Sequence, residues 1–181
     1  MIRISRNLLF CGLVAACSLL EANEPKAWEK PYPENKADLL AIQEQLQKIL
    51  PKVSKAVVAI ESGDGAGSGV IVSEDGIILT AAHVIGRSGK RIKARLPDGK
   101  LLNAITLGGS ELSDAGIAKI TDEGNWPTVQ MAERGSSKLG DWCFALGHPG
   151  GFYPHNKERG IVIRLGRVIA KKEEFVHDIW W

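Results

Sequence analysis

Gly67-Ser68-Gly69-Val70-Ile71-Val72-Ser73-Glu74-Asp75-Gly76-Ile77-Ile78-Leu79-Thr80-Ala81-Ala82-His83-Val84 decides how the chain is read. Two short apolar runs, Gly69 to Ser73 and Ile77 to Thr80, flank Glu74-Asp75-Gly76, the composition of a tight hairpin. The second run delivers His83 after three small residues, Thr80, Ala81 and Ala82. Small neighbours let the chain turn sharply and leave an imidazole facing a cleft. Histidine suits general base work because its unperturbed pKa lies near neutrality.

The same texture extends in both directions. Ala56 to Glu61 reads as a strand before this hairpin, and Arg91 to Leu96 with Leu101 to Leu107 flank a second turn at Pro97-Asp98-Gly99-Lys100. Further strands are expected at Ile117 to Ile120, Trp142 to Leu146 and Gly160 to Ala170. Short strands without alternating helices imply an antiparallel barrel or sandwich. Upstream, Lys36 to Lys52 places Leu39, Leu40, Ile42, Leu46, Ile49 and Leu50 at helical spacing, an amphipathic helix expected to stop at Pro51. Residues 23–35 carry three prolines and no periodic apolar face, and read as a linker.

Residues 1–22 have the layout of an export signal, with Arg3 and Arg6 ahead of the apolar stretch Leu8 to Leu20. Two cleavage readings stand. Leu20-Glu21-Ala22 ends a conventional signal, whereas Val14-Ala15-Ala16-Cys17 resembles a lipoprotein box that would leave Cys17 lipidated. Either way the folded part is expected outside the cytoplasm, and a membrane partner only if Cys17 is lipidated. Cys11 and Cys17 fall in this signal, leaving Cys143, flanked by Trp142 and Phe144, as a packing thiol without a disulfide partner.

The 181 residues carry a formal net charge of +2 and 44% hydrophobic content, the composition of a globular protein with a real core. No run of five or six like charges appears, so nothing marks a nucleic-acid partner. His148, His155 and His177 are scattered and lack the paired spacing of a zinc site. No metal and no cofactor is expected. Trp180-Trp181 would form an exposed apolar patch if uncovered.

The quoted stretch closely resembles the trypsin-like serine proteases, above all the bacterial HtrA/Deg type. The family's Gly-Ser-Gly strand, Asp-Gly hairpin and Thr-Ala-Ala-His-Val run are all here. Ser113-Asp114-Ala115-Gly116-Ile117-Ala118-Lys119-Ile120 resembles the segment bearing the family's triad aspartate. Leu139-Gly140-Asp141-Trp142-Cys143-Phe144-Ala145-Leu146-Gly147-His148-Pro149-Gly150-Gly151 is similar to its entry into the second barrel. The resemblance covers about residues 53–170. It implies an all-β, trypsin-like antiparallel double β-barrel preceded by the short amphipathic helix, with residues 53–181 as the protease domain. The first barrel would span about 53–128, and an incomplete second barrel about 129–181. It also implies an exported serine endopeptidase acting on a protein or peptide substrate. His83 would be the general base and Asp114 the carboxylate that orients it. Asp114 departs from the pattern in being followed by Ala115-Gly116 rather than two apolar residues.

The nucleophile serine of that family is absent. Ser68 precedes the histidine, against the family order of histidine, aspartate, serine, and reads as a strand serine in close packing. Ser136 and Ser137 lie in a polar Gly-Ser-Ser-Lys loop that lacks the turn aiming backbone N–H groups at an oxyanion. The chain departs from the family near Phe175, ahead of the expected Gly-Asn/Asp-Ser-Gly-Gly loop. It is therefore expected to be a truncated, inactive form of an endopeptidase, or a non-catalytic module that binds extended peptides or a partner protein. The coding DNA read past the Trp181 codon in all three frames separates these. A Gly-Asp-Ser-Gly-Gly or Gly-Asn-Ser-Gly-Gly run is expected, and its absence would favour the binding module.

Overall fold

The structure, a computed structural model, describes residues 25–63, 65–148 and 160–170. Residues 1–22, which read as an export signal, together with Cys11, Cys17, His155, His177, Trp180 and Trp181, lie outside the described residues. The described residues form eight strands: β1 Val57–Ser62, β2 Gly65–Ile71, β3 Ile77–Ala81, β4 Arg91–Arg95, β5 Leu101–Ser110, β6 Ala115–Ile120, β7 Trp142–Gly147 and β8 Val162–Arg167. The first six close into an antiparallel barrel in the order β1-β2-β3-β6-β5-β4, and β7 pairs with β8 in a separate two-stranded sheet. A closed barrel beside a partial second sheet is the arrangement expected of an incomplete trypsin-like double barrel. No helix among the described residues is long and apolar enough to cross a membrane.

Alternation along the strands builds the core. In β4, Ile92 and Ala94 point inward between exposed Arg91 and Lys93, and in β5, Leu102, Ala104 and Thr106 do the same. Ile60, Ile71, Ile78, Ile85 and Leu102 are fully enclosed. Each such side chain contributes roughly 1.5–3 kcal/mol by leaving water. Both hairpins close as their letters require. Gly76 N–H donates to the Ser73 carbonyl at 2.9 Å, and Gly99 N–H to the Leu96 carbonyl at 2.9 Å.

Strand ends rich in glycine run further than their composition suggests. β2 begins at Gly65, and β5 continues to Ser110 through a bulge between Thr106 and Gly108. Glycine is depleted in strands, so such ends read as turns. Here the missing Cβ is what the packing uses. A methyl at Gly69 would lie 2.6 Å from Ile78 Cγ2 and 2.8 Å from Ile60 Cδ1.

The helix α1 spans Lys36–Val53 and carries Pro51 inside its last turn. The lost N–H at Pro51 would have reached the carbonyl of Gln47, which is exposed and can be hydrated instead. Asn35 caps α1, its Oδ1 accepting from Asp38 N–H at 2.9 Å. Residues 25–35, which read as a linker, are pinned into turns here. Lys30 Nζ donates to Glu34 and to Asp38, and the Arg167 guanidinium donates to the Lys30 carbonyl at 3.3 Å. Leu39 and Leu40 remain 57% and 46% exposed, so α1 does not bury its whole apolar stripe.

Trp126, which no sequence pattern marked, is buried as part of the barrel's core cluster. It packs on Gly76, whose φ is +89° and whose added methyl would lie 2.9 Å from Ile120 Cβ and 3.1 Å from Trp126 Cδ1. Gly76→Ala is therefore expected to cost about 2 kcal/mol or more through backbone strain and overpacking together. Denaturant unfolding monitored by tryptophan fluorescence checks it, and a midpoint equal to wild type would contradict this packing.

Candidate active site

His83 sits on α2, a single turn spanning Ala82–Ile85 at the end of β3. Its first residue follows Ala81, whose side chain cannot cap a helix. The cap comes from the loop before β6. Asp114 Oδ1 accepts the His83 backbone N–H at 3.0 Å, and the Asp114 carbonyl accepts the Ala82 N–H at 3.0 Å. The other carboxylate oxygen, Oδ2, lies 2.7 Å from His83 Nδ1. One residue thus satisfies the orphan donors of the turn and fixes the ring it carries.

This double engagement requires an unusual backbone. Asp114 has φ +50°, the one positive value outside glycine among the described residues. Aspartate tolerates that region better than most residues because its short polar side chain bonds locally. The strain is held in place by the bonds to α2 and by Gly116. A methyl there would lie 2.7 Å from Ile85 Cδ1, so Gly116 is the seat on which α2 packs. Gly116, one of the two residues by which this segment departs from the family pattern, has this packing reason.

Hydrogen bonding from the His83 backbone N–H holds the Asp114 carboxyl below its ordinary value; burial opposes this, and the bond to the His83 ring adds to the lowering. Asp114 is accordingly an anion at neutral pH and an acceptor for Nδ1–H. Nε2 of the neutral ring is then left as the basic nitrogen, on a side chain 71% exposed. Such a ring can take a proton from a neighbouring group and give it up again.

A cleft of about 980 Å³ lies on the Asp114 side, lined among others by Ser68, Thr80, Leu107, Ser113, Ile117 and Leu146. It is mostly apolar and runs between the barrel wall and β7. Of the serines set aside, Ser68 lies in β2 with its hydroxyl accepting the His148 N–H at 2.7 Å. Ser136 and Ser137 lie between β6 and β7, Ser136 donating its N–H to the Glu133 carbonyl at 3.1 Å. The letters Gly-x-Ser-Gly do occur at Gly86-Arg87-Ser88-Gly89, in the turn that leaves α2. That turn precedes Asp114 and is tied to β5 through Thr106, which donates its hydroxyl to the Arg87 carbonyl at 2.7 Å. Cys143 lies half-buried in β7. His148 is buried at the end of β7. Among the described residues no cluster of His, Cys, Asp and Glu side chains is arranged to hold a metal ion.

The lowered Asp114 pKa fixes a pH dependence. A carboxylate whose pKa is depressed by folding stabilises the fold above the unfolded value, near 4, and that contribution is lost as pH falls through the folded value. Asp38, Asp75 and Asp122 are depressed in the same direction by their own partners. Asp114→Asn should therefore lose less stability than wild type between pH 5 and pH 2, with Asp38, Asp75 and Asp122 contributing to the slope that remains. Urea unfolding at a series of pH values measures the two slopes, and parallel curves would contradict the clamp.

The family profile described as the trypsin-like peptidase domain matches residues 67–180. A probable periplasmic serine endoprotease, DegP-like, of Halomonas elongata is 35% identical over 105 residues, covering 58% of this chain and 22% of that protein. Its namesake in Pseudomonas savastanoi is 40% identical over 101 residues, covering 56% and 20%. The putative serine protease HhoA of Synechocystis is 34% identical over 119 residues, covering 62% and 30%. The matched stretch spans under a third of each of these relatives. With the profile running across more than half of its length, from the Gly-Ser-Gly strand onward, the chain belongs to the trypsin-like peptidase domain family.

Proposed function

We propose that this chain supplies the histidine–aspartate half of an exported serine endopeptidase of the HtrA/Deg kind, acting on protein or peptide substrates. The 2.7 Å approach of His83 Nδ1 to Asp114 Oδ2 carries the reading. In a completed site, a serine hydroxyl attacks the scissile carbonyl while His83 Nε2 takes its proton. Asp114 stabilises the resulting imidazolium and keeps the ring in the productive tautomer, and His83 then protonates the leaving amine. Water releases the acyl-enzyme by the same route. The periplasmic naming of the relatives and the charge-then-apolar layout of residues 1–22 support export.

No Gly-Asp-Ser-Gly-Gly or Gly-Asn-Ser-Gly-Gly run occurs in the 181 residues, so the nucleophile and its oxyanion donors are not among them. Loss of the nucleophile in a subtilisin-type triad costs on the order of 10⁶ in turnover. The purified 181-residue chain is therefore expected to leave casein uncut and to take no label from a fluorophosphonate probe. Labelling that disappears in His83→Ala would overturn this and place an active serine within the chain.

A second reading follows from the apolar cleft and from the edges of the β7–β8 sheet, which pair with no other strand among the described residues. Strand edges with unpaired N–H and C=O groups accept extended peptides. A binding module of this kind would hold an extended peptide equally well in wild type and in His83→Ala. Loss of binding in that variant would argue against it.

A further inference from the structure

The two-stranded sheet β7–β8 is pinned at its two ends by different means. At one end Arg167, paired across the sheet with Trp142, stacks on the Trp142 ring at 4.1 Å and donates to the Gly140 carbonyl at 2.6 Å and the Lys30 carbonyl at 3.3 Å. At the other end the contact is with the barrel itself. Ser68 Oγ accepts the His148 N–H at 2.7 Å, and a methyl added at Gly147 would lie 2.8 Å from the same Oγ. The approach is thus set by one hydroxyl, with no room for a side chain opposite.

Ser68 is also tied to β3, the strand that leads into α2 and its histidine. Its carbonyl accepts the Thr80 hydroxyl at 2.8 Å, in β3 just ahead of α2. Ser68, Thr80, Asp114 and Leu146 all line the one cleft. The side chain of Ser68 therefore faces the second sheet while its backbone is locked to the wall that carries His83.

We propose that Ser68 is a positioning residue: its hydroxyl fixes the end of β7 at one depth against β2 and so sets the width of the cleft beside Asp114. Calling this cleft the substrate side rests on the proposed endopeptidase reading, but the positioning itself does not. Without the Ser68 hydroxyl, the His148 N–H loses this acceptor and the Gly147 end of the ribbon is held less closely against β2. The serine that sequence order removes from catalysis thus acquires a structural reason for standing between two glycines.

The full chain tests this without turnover. Amide hydrogen exchange should accelerate at His148 by ten-fold or more in Ser68→Ala, while Ile60 and Ile78 in the barrel core keep their protection. Gly147→Ala, approached from the opposite strand, should produce the same local acceleration by displacing the hydroxyl. It should also lower Tm by several degrees in wild type and by much less in the Ser68→Ala background. There the nearest remaining Ser68 atom to the new methyl is Cβ at 3.4 Å, an ordinary contact. Such suppression belongs to a steric and hydrogen-bonded stop, and a serine that merely adds stability would not show it. Unchanged exchange at His148, or equal cost of Gly147→Ala in both backgrounds, would overturn the proposal. Neither readout depends on a nucleophile, so the outcome with the fluorophosphonate probe leaves this test standing.

Discussion

One carboxylate organises the site. Asp114 accepts the His83 backbone N–H at 3.0 Å and faces its Nδ1 at 2.7 Å, while its own carbonyl takes the Ala82 N–H at 3.0 Å. A four-residue helix such as α2 has too few internal bonds to persist alone. Its first turn exists because a loop distant in sequence closes on it. The price is a positive φ at Asp114, held because three hydrogen bonds and the surrounding packing require it. One residue thus both caps the turn and orients the ring that the turn carries.

The barrel makes that arrangement possible by leaving space in the right places. Ile85 reaches into the room left by Gly116, and Val84 lies where a methyl at Gly67 would meet Cγ2 at 2.6 Å. These glycines sit in β6 and β2, which are not neighbours in the barrel order, so α2 is seated between two walls. Its imidazole is then carried on a rigid support rather than a free loop. Such support is what the base role proposed for His83 requires, since misplacement by an ångström is costly.

Much of this was legible in the residues because the signals are local. Asp75-Gly76 and Asp98-Gly99 fix their turns through backbone conformations that few other pairs adopt. Period-two burial in β4 and β5 is written in their alternating letters. His83 follows a strand and Asp114 precedes one, but their pairing is what the resemblance to the trypsin-like proteases implies rather than what placement alone gives. What the letters did not show depends on partners far away in sequence. The bond from His148 N–H to Ser68 Oγ spans 80 positions, and that from Arg167 to the Lys30 carbonyl spans 137. Trp126 lies in a stretch with no periodicity, yet it fills the core because Gly76 and Gly124 leave room for its ring. The prolines of residues 23–35 suggested a linker, whereas the Lys30–Asp38 pair pins that segment to the start of α1.

The central claim is that the Asp114 carboxylate selects the Nδ1–H tautomer of His83 and leaves Nε2 as the base. Imidazole ¹⁵N chemical shifts of the neutral ring, measured on the ¹⁵N-labelled chain, test it directly. The account predicts a protonated Nδ1 and an unprotonated Nε2 in wild type, with the preference lost in Asp114→Ala. A dominant Nε2–H tautomer in wild type would contradict it.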